Sequence, residues 1–192
     1  MRTAEITRKT KETDIAVKLN LDGSGKVNID TGIGFFDHML TALGLHAGFD
    51  LDITVKGDLV VDGHHSVEDA GIALGQAFAK AIGDKAGIAR YGSFYIPMDE
   101  ALCFCSLDIS GRPFLVYDAQ LTNEKVGEFD TCLAEEFFRA FAFNAGITLH
   151  IREEYGKNDH HIIEGMFKAL AHALKEAVSL TGGGVLSTKG VL

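Results

Sequence analysis

The chain has 192 residues, of which 46% are hydrophobic and 23% are charged. This composition is typical of a globular protein that can bury a core without disulfides, and it excludes a disordered or collagen-like chain. Lysine and arginine number 18 against 27 aspartates and glutamates, so the net charge is −9. A phosphate backbone would be repelled over most of such a surface, so we expect no nucleic-acid partner. An anionic small molecule would need a local basic pocket.

The beginning of the chain and its cysteines predict a cytoplasmic protein. Alternating polar and apolar residues follow Met1 directly, without the apolar core of a secretion signal. No stretch approaches the roughly 18 apolar residues that span a bilayer, so we expect no membrane partner. The three cysteines lack CxxC spacing, which suits a reducing compartment.

The hydrophobic pattern predicts a β-β-β-α-β-α unit that occurs twice. The first unit has strands at Ile6–Lys9, Asp14–Leu19 and Val27–Ile29, a helix from Asp37 to Gly48, a strand at Phe49–Val55 and a helix opening at His64. The second has strands at Phe94–Ile96, Ala101–Ile109 and Phe114–Tyr117, a helix from Glu135 to Gly146, a strand at Ile147–Ile151 and a helix opening at His160. We therefore predict an α+β fold of duplicated half-domains, residues 1–85 and 86–192, in one compact pseudo-twofold domain whose C-terminal tail is rich in glycine.

A short motif stands at the equivalent helix start in both halves. The sequence His64-His65-Ser66-Val67-Glu68 recurs as His160-His161-Ile162-Ile163-Glu164. Because a helix has 3.6 residues per turn, the first histidine and the glutamate share one face, while the second histidine is rotated by roughly 100°. Each helix can therefore chelate one ion with its first histidine and its glutamate, and reach toward another ion with its second histidine.

These ligand types predict a borderline divalent metal. Imidazole and carboxylate without thiolate suit Mn, Fe, Zn or Co. His38 and Glu136 occupy equivalent places in the other repeated helix and are natural additional ligands. The alternative is that the adjacent histidines only cap their helices. The remaining histidines lack a repeated chelating partner and are expected to be ordinary surface or core residues; these are His46, His150 and His172.

Four residues are candidate contacts for an anion, namely Arg90, Arg112, Ser187 and Lys189. Arg112 is expected in a turn and Lys189 in the glycine-rich tail. Each is weak evidence by itself, because surface cations are common. The acidic pair Asp99-Glu100 is expected to form a solvated turn between strands, with the lining of a site as the alternative.

Six segments in order resemble the imidazoleglycerol-phosphate dehydratase family over nearly the whole chain. They are Glu12-Thr13-Asp14-Ile15, Gly32-Ile33-Gly34-Phe35-Phe36-Asp37-His38-Met39-Leu40, Asp62-Gly63-His64-His65-Ser66-Val67-Glu68-Asp69, Pro97-Met98-Asp99-Glu100-Ala101, Gly156-Lys157-Asn158-Asp159-His160-His161 and Ser187-Thr188-Lys189-Gly190-Val191-Leu192. The resemblance implies a helical layer between two four-stranded sheets. It also implies a metal-dependent dehydratase of histidine biosynthesis, which converts imidazole glycerol phosphate to imidazole acetol phosphate and water. The cofactor it implies is two Mn²⁺ per subunit, in a homo-oligomer of 24 subunits whose sites are completed by a neighbouring subunit.

The resemblance also implies roles for individual residues. The positions that match the family's metal ligands are His38, His64, His65, Glu68, His160, His161 and Glu164. Glu136 stands where the family usually has histidine, so it is either a substitute eighth ligand or no ligand. Catalytic roles fall to Glu12, as the carboxylate that moves protons at the substrate, and to His65, Glu68, His161 and Glu164. The match to the phosphate grip consists of Arg90, Arg112, Ser187 and Lys189.

Two other function classes remain open from the residues. A dimetal phosphoester hydrolase would use its ions to activate water, but such enzymes generally hold the ions about 3.5–4 Å apart with bridging carboxylates. Here each carboxylate has its own histidine, which predicts a wider separation. A non-catalytic scaffold stabilised by metal would have closed coordination shells and no turnover.

Overall fold

The computed structural model describes residues 1–190 and places four helices and ten strands within them. The first half contains β1 (Thr3–Lys9), β2 (Thr13–Asn20), β3 (Val27–Asp30), α1 (Gly34–Ala47), β4 (Asp50–Gly57) and α2 (His64–Ile82). The second contains β5 (Tyr91–Met98), β6 (Ala101–Asp108), β7 (Phe114–Asp118), β8 (Lys125–Val126), β9 (Phe129–Asp130), α3 (Leu133–Ala145), β10 (Thr148–Tyr155) and α4 (Asp159–Ala177). Val191 and Leu192, which end the last resembling segment, lie outside the described residues.

Two four-stranded sheets repeat the same topology. The strand order is β1-β2-β4-β3 in one sheet and β5-β6-β10-β7 in the other. In both sheets the last pair is parallel, β3 with β4 and β7 with β10, and the other pairs are antiparallel. Alternation of buried and exposed residues, as along β2 and β6, gives each sheet one buried face. The predicted duplication is therefore confirmed.

The helices form a layer between the sheets and exchange partners between the halves. Helix α2 packs on β1, β2 and β4, and α4 packs on β5, β6 and β10. Helix α1 of the first half packs against α4, while α3 of the second half packs against α2. Aromatic rings fill the centre of this layer, with Phe137 near Phe36, Phe141 and Phe167. The predicted α+β architecture, with helices between two sheets, is confirmed.

Glycines on α2 permit the close approach of α3. A Cβ atom on Gly71 would lie 2.9 Å from both Ala140 Cβ and the Phe137 carbonyl oxygen. A Cβ atom on Gly75 would lie 2.7 Å from the Phe141 carbonyl oxygen. Since these residues are one helical turn apart, they form a flat strip against which the backbone of α3 rests.

The sequence predicts the type and order of these elements better than their ends. Helix α1 begins at Gly34, one turn before the expected Asp37, and β5 extends beyond the predicted Phe94–Ile96. The short β8–β9 hairpin was not predicted, because two-residue strands carry no readable alternation. Within residues 1–190, no helix combines the length and apolarity needed to cross a membrane.

The strip on α2 predicts a large effect of one added methyl group. Gly75→Ala places Cβ against backbone atoms of α3 that cannot move independently, so we expect destabilisation of about 1–3 kcal/mol. Gly34→Ala is the matched control, because nothing lies within 4 Å of the added Cβ. Thermal unfolding should show a lower Tm for Gly75→Ala only. Equal Tm values for the two variants would contradict the packing argument.

Candidate metal centre

Both repeated motifs begin a helix, and a side chain just before each helix fixes the first turn. The Asn158 side chain accepts a hydrogen bond from the His160 backbone N–H at 3.0 Å. In the first half, Asp62 Oδ1 accepts one from the His64 backbone N–H at 2.8 Å. These bonds satisfy N–H groups that the helix leaves unpaired, and they hold the histidines at the same relative position in both halves.

One group of three donors converges at the contact of α1 with α4. His38 Nε2 lies 3.4 Å from Glu164 Oε2, and His160 Nε2 lies 3.2 Å from the same oxygen. The three ligand atoms all lie within 4.8 Å of one another. We call His38, His160 and Glu164 the donor group. Two imidazoles and one carboxylate suit a borderline divalent cation, so this donor set fits the metal that the sequence predicts.

Lys168 constrains the carboxylate of the donor group. Glu164 is only 6% exposed, and Lys168 Nζ lies 2.8 Å from its Oε1. Burial alone would favour the protonated form, but the Lys168 ammonium and His38 hold the pKa of Glu164 below its usual value. The carboxylate is therefore ionised at neutral pH, with Oε2 available to the two histidines.

The equivalent positions of the other helix pair are less closely gathered. His64 Nε2 lies 3.8 Å from Glu68 Oε2, so these residues share one face as predicted. Glu136 is in the first turn of α3, which packs against α2, and its carboxylate lies 4.0 Å from Arg139 Nε. Among residues 1–190 it does not join His64 and Glu68 in a three-donor group. Its role as an eighth ligand stays a prediction.

The second histidine of each motif is turned away from the first. The ring planes differ by 86° between His64 and His65 and by 80° between His160 and His161, and in each pair the two rings contact different carboxylates. His65 Nδ1 lies 3.1 Å from the Asp58 carboxylate, and this hydrogen bond raises the pKa of His65. Each helix therefore presents donors in two directions.

His161 is held by a carboxylate in the same way. Its Nδ1 lies 2.8 Å from Glu100 Oε2. This bond raises the pKa of His161 and, with backbone N–H donors, lowers the pKa of Glu100 to about 2. A carboxylate on Nδ1 orients the ring and leaves Nε2 for another contact, which is the arrangement that supports metal-bound histidines.

Three carboxylates that contact the motif histidines were therefore missed or given little weight in the sequence analysis. Asp58 lies in the loop after β4 and carried no pattern that could have identified it. Asp99-Glu100 does form the expected two-residue turn, in which Asp99 adopts φ 50°. The turn nevertheless lines the site, because it carries Glu100 to His161 and brings Asp99 Oδ2 to 3.6 Å from His161 Nε2. In the sequence, the one sign of this role is that Glu100 directly precedes the second strand of its half, as Glu12 does in the first half.

Glu12 lies in the exposed turn between β1 and β2, near the start of α2. The hydroxyl of Thr10 accepts a hydrogen bond from the Glu12 backbone N–H at 3.1 Å and lies 3.3 Å from Glu12 Oε2. After the Asp58 contact, the Glu12 charge also contributes to the raised pKa of His65. The structure therefore puts Glu12 within electrostatic reach of the motif on α2.

A basic hollow of about 730 Å³ is formed by the four candidate anion contacts. Arg90 is 8% exposed, with φ 72°, and its guanidinium donates to Asp108 at 2.7 and 3.0 Å and to the Leu186 carbonyl oxygen at 2.6 Å. The bond to Asp108 raises the pKa of Arg90. Arg112 also approaches Asp108, at 3.5 Å, and Ser187 and Lys189 complete the rim. The structure brings all four predicted residues together.

The three unrepeated histidines lie outside the donor group, as expected. His46 Nδ1 lies 3.3 Å from His172 Nε2 across the contact of α1 with α4, and Phe94 stacks on His172. Burial lowers the pKa of both His46 and His172. His150 is exposed on β10. These three side chains serve packing or the surface.

Comparison with known proteins identifies the family of this chain. Residues 31–174 match the family model described as imidazoleglycerol-phosphate dehydratase. The dehydratase of Clostridium kluyveri is 61% identical over the whole of both chains, and that of Acetivibrio thermocellus is 59% identical over 100% of this chain and 99% of its own.

Solved structures of the same family have the same fold as this chain. The Staphylococcus aureus dehydratase superposes with a TM-score of 0.85 at 44% identity, covering 93% of this chain and 99% of that one. The Pyrococcus furiosus protein gives 0.83 at 39%, covering 97% and 100%. On the evidence of its motifs, its duplicated fold and these relatives, the chain belongs to the imidazoleglycerol-phosphate dehydratase family.

Proposed function

We propose that this protein dehydrates imidazole glycerol phosphate to imidazole acetol phosphate, as a step of histidine biosynthesis, with two Mn²⁺ per subunit. The observation that carries the metal requirement is the donor group, in which His38 from one half meets His160 and Glu164 from the other. Family membership supports the substrate. In this proposal the phosphate of the substrate binds the basic hollow of one copy, and the imidazole ring faces the metal ligands of a neighbouring copy.

The proposal assigns the ligand residues to two metal positions. The donor group would hold one ion, and His64 with Glu68 would contribute to the other, with Glu136 as a further candidate. When bound, the ions supply Lewis acidity that draws electron density from the imidazole ring of the substrate. His65 and His161 are oriented by Asp58 and Glu100, so each presents Nε2 away from its own motif.

That orientation supports sites shared between copies in a homo-oligomer, with 24 subunits as the proposed number. The loop that precedes α2 exposes Leu59, Val60 and Val61 by 39, 96 and 65%. Three consecutive apolar side chains in solvent are typical of an interface. Because this loop adjoins His64 and His65, a second copy that covered it would approach the motif directly.

The chain's own groups account for binding and proton transfer. Arg112 is exposed and would donate to the phosphate, Arg90 adds positive charge beneath it while bonded to Asp108, and Lys189 and the Ser187 hydroxyl add donors from the tail. Glu12 is a carboxylate with one hydrogen bond from a hydroxyl, and it can accept the proton that leaves carbon. The hollow lies at the C-terminal end of α4, where the Arg90 backbone N–H donates to the Ala177 carbonyl oxygen, whereas the donor group lies at the N-terminal end of the same helix, roughly 26 Å away. A small substrate would therefore bind the hollow of one copy and the metal ligands of another.

The alternative of a dimetal hydrolase is less well supported. It would need a carboxylate that bridges two closely spaced ions. Glu164 cannot readily do this, because its Oε1 is occupied by Lys168 at 2.8 Å. The alternative of a non-catalytic scaffold does not account for the basic hollow.

Metal removal is the direct test of the metal requirement. We expect chelation to abolish turnover and to release smaller species, and Mn²⁺ to restore both activity and assembly. Metal analysis of His38→Gln should show a reduced Mn content, whereas His150→Gln, on exposed β10, should match the wild type. Full turnover and an unchanged sedimentation coefficient after complete metal removal would refute the proposal.

Glu12→Gln should separate proton transfer from binding. We expect kcat to fall by about 10²-fold or more, because the amide cannot accept a proton, while metal content and KM change little. Glu5→Gln is the matched control, since Glu5 is an exposed carboxylate on β1. Steady-state kinetics with imidazole glycerol phosphate would decide; near-normal kcat for Glu12→Gln would remove this residue from the mechanism.

Deletion from Ser187 onward should weaken phosphate binding. We expect KM to rise strongly and inhibition by inorganic phosphate to weaken, while the Mn content is unchanged because the proposed ligands all precede the tail. The KM of the truncated chain should also depend less on ionic strength, since a charged contact is lost. Identical KM values for full and truncated chains would show that the tail contributes nothing to the grip.

A further inference from the structure

Asp69 is an almost completely buried acid that directly follows Glu68 on α2. It is 7% exposed. Its Oδ1 accepts hydrogen bonds from Arg8 Nε at 2.9 Å, with Arg8 Nη2 also at 2.9 Å, and its Oδ2 accepts one from the Thr13 hydroxyl at 2.5 Å. Both partners belong to the strands that flank the turn carrying Glu12.

The bond to Thr13 continues into that turn. Thr10 Oγ1 lies 3.1 Å from Thr13 Oγ1 and accepts hydrogen bonds from the backbone N–H groups of Thr13 and Glu12, at 3.0 and 3.1 Å. The Thr10 backbone N–H donates to the Thr13 carbonyl oxygen at 2.9 Å. A continuous set of hydrogen bonds therefore connects the helix that carries His64, His65 and Glu68 to the backbone of Glu12.

The second half shows that the fold does not require this acid. By the repeat of the motif, the position equivalent to Asp69 is Gly165, directly after Glu164. There α4 packs against β6 without a carboxylate, and a Cβ atom on Gly165 would lie 2.9 Å from Cys103 Sγ. The equivalent turn in that half carries Glu100, which bonds directly to His161. The buried acid occurs in the half whose turn carries Glu12.

Burying a carboxylate has a cost in solvation that only good hydrogen bonds offset. Asp69 has such bonds, and they go to Arg8 and Thr13, on either side of a turn that the β1–β2 pairing would already close. We infer that Asp69 is a positioning residue, which holds the Glu12 turn at a fixed place relative to the metal-binding end of α2. This inference rests on the role proposed above for Glu12.

The test is a double-mutant cycle between Asp69→Asn and Glu12→Gln, with kcat, KM and Mn content measured for all four proteins. Asp69→Asn should lower kcat by about 10-fold or more, in the range seen when supporting partners of active groups are removed, with Mn content and KM little changed. In the Glu12→Gln background the same substitution should change kcat less than twofold, because no positioned carboxylate remains to be misplaced.

Backbone exchange gives a readout independent of turnover. The amide hydrogens of Glu12 and Thr13 should exchange faster in Asp69→Asn, because their acceptor Thr10 loses its anchored neighbour. Thr13→Val replaces the hydroxyl that bonds Asp69 with a methyl group, and it should also lower kcat and speed amide exchange. This second variant keeps the inference testable if Asp69→Asn does not fold. Asp22→Asn is the matched control: it removes an arginine–aspartate pair with Arg2 just beyond the opposite end of the β1–β2 pair, far from Glu12, and should leave kcat unchanged.

The outcomes separate the two proposals. Normal kcat in Glu12→Gln would overturn the role of Glu12 and, with it, the purpose assigned to Asp69. A low kcat in Glu12→Gln with normal kcat in Asp69→Asn and Thr13→Val would overturn only the inference about Asp69. Full additivity of the two substitutions would also overturn it, because Asp69 would then act by a route other than Glu12.

Discussion

The site depends on the exchange of helices between the two halves of the chain. Helix α1 lies against α4, and only this contact brings His38 to His160 and Glu164. The buried Glu164 carboxylate would be costly without a partner, and Lys168 supplies one from the next turn of the same helix. The donor group is therefore complete only where α1 packs against α4.

The two halves share one backbone topology, but residues at equivalent positions differ and give the halves different chemistry. The sheets share strand order and direction, and the motifs share their i, i+4 geometry. Yet Glu136 stands where the first half has His38, and the turn of Glu12 is tied to Asp69, whereas that of Glu100 bonds His161. A substrate with a phosphate at one end and an imidazole ring at the other is itself asymmetric, which suits a site whose halves have diverged.

The basic hollow concentrates positive charge on a chain whose net charge is negative. At −9, the chain can attract an anion only where cations are concentrated, and the hollow of Arg90, Arg112 and Lys189 is such a place. Asp108 bonds Arg90 and approaches Arg112, so it fixes the direction of the guanidinium groups and reduces their mutual repulsion. The positive φ of Arg90 stores backbone strain where this orientation is needed.

The sequence alone predicts the repeated architecture, because strand and helix periodicity are local and each half repeats the other. It also determined the two directions of each motif, since the rotation between adjacent helical residues does not depend on packing. The pairing of β3 with β4 and of β7 with β10 was left to the tertiary structure, because parallel neighbours are distant along the chain.

Which donors meet depends on contacts between the two halves of the chain. His38 lies near Glu164 because helices from opposite halves pack together, and Glu100 reaches His161 because a two-residue turn joins β5 to β6. The bonds of Asp58 to His65 and of Asp69 to Thr13 likewise could not be read from the sequence, since a single carboxylate in a loop or on a helix carries no periodic signal. Residue types and local spacing are encoded in short segments, whereas the distances between side chains depend on contacts between segments that are far apart in sequence.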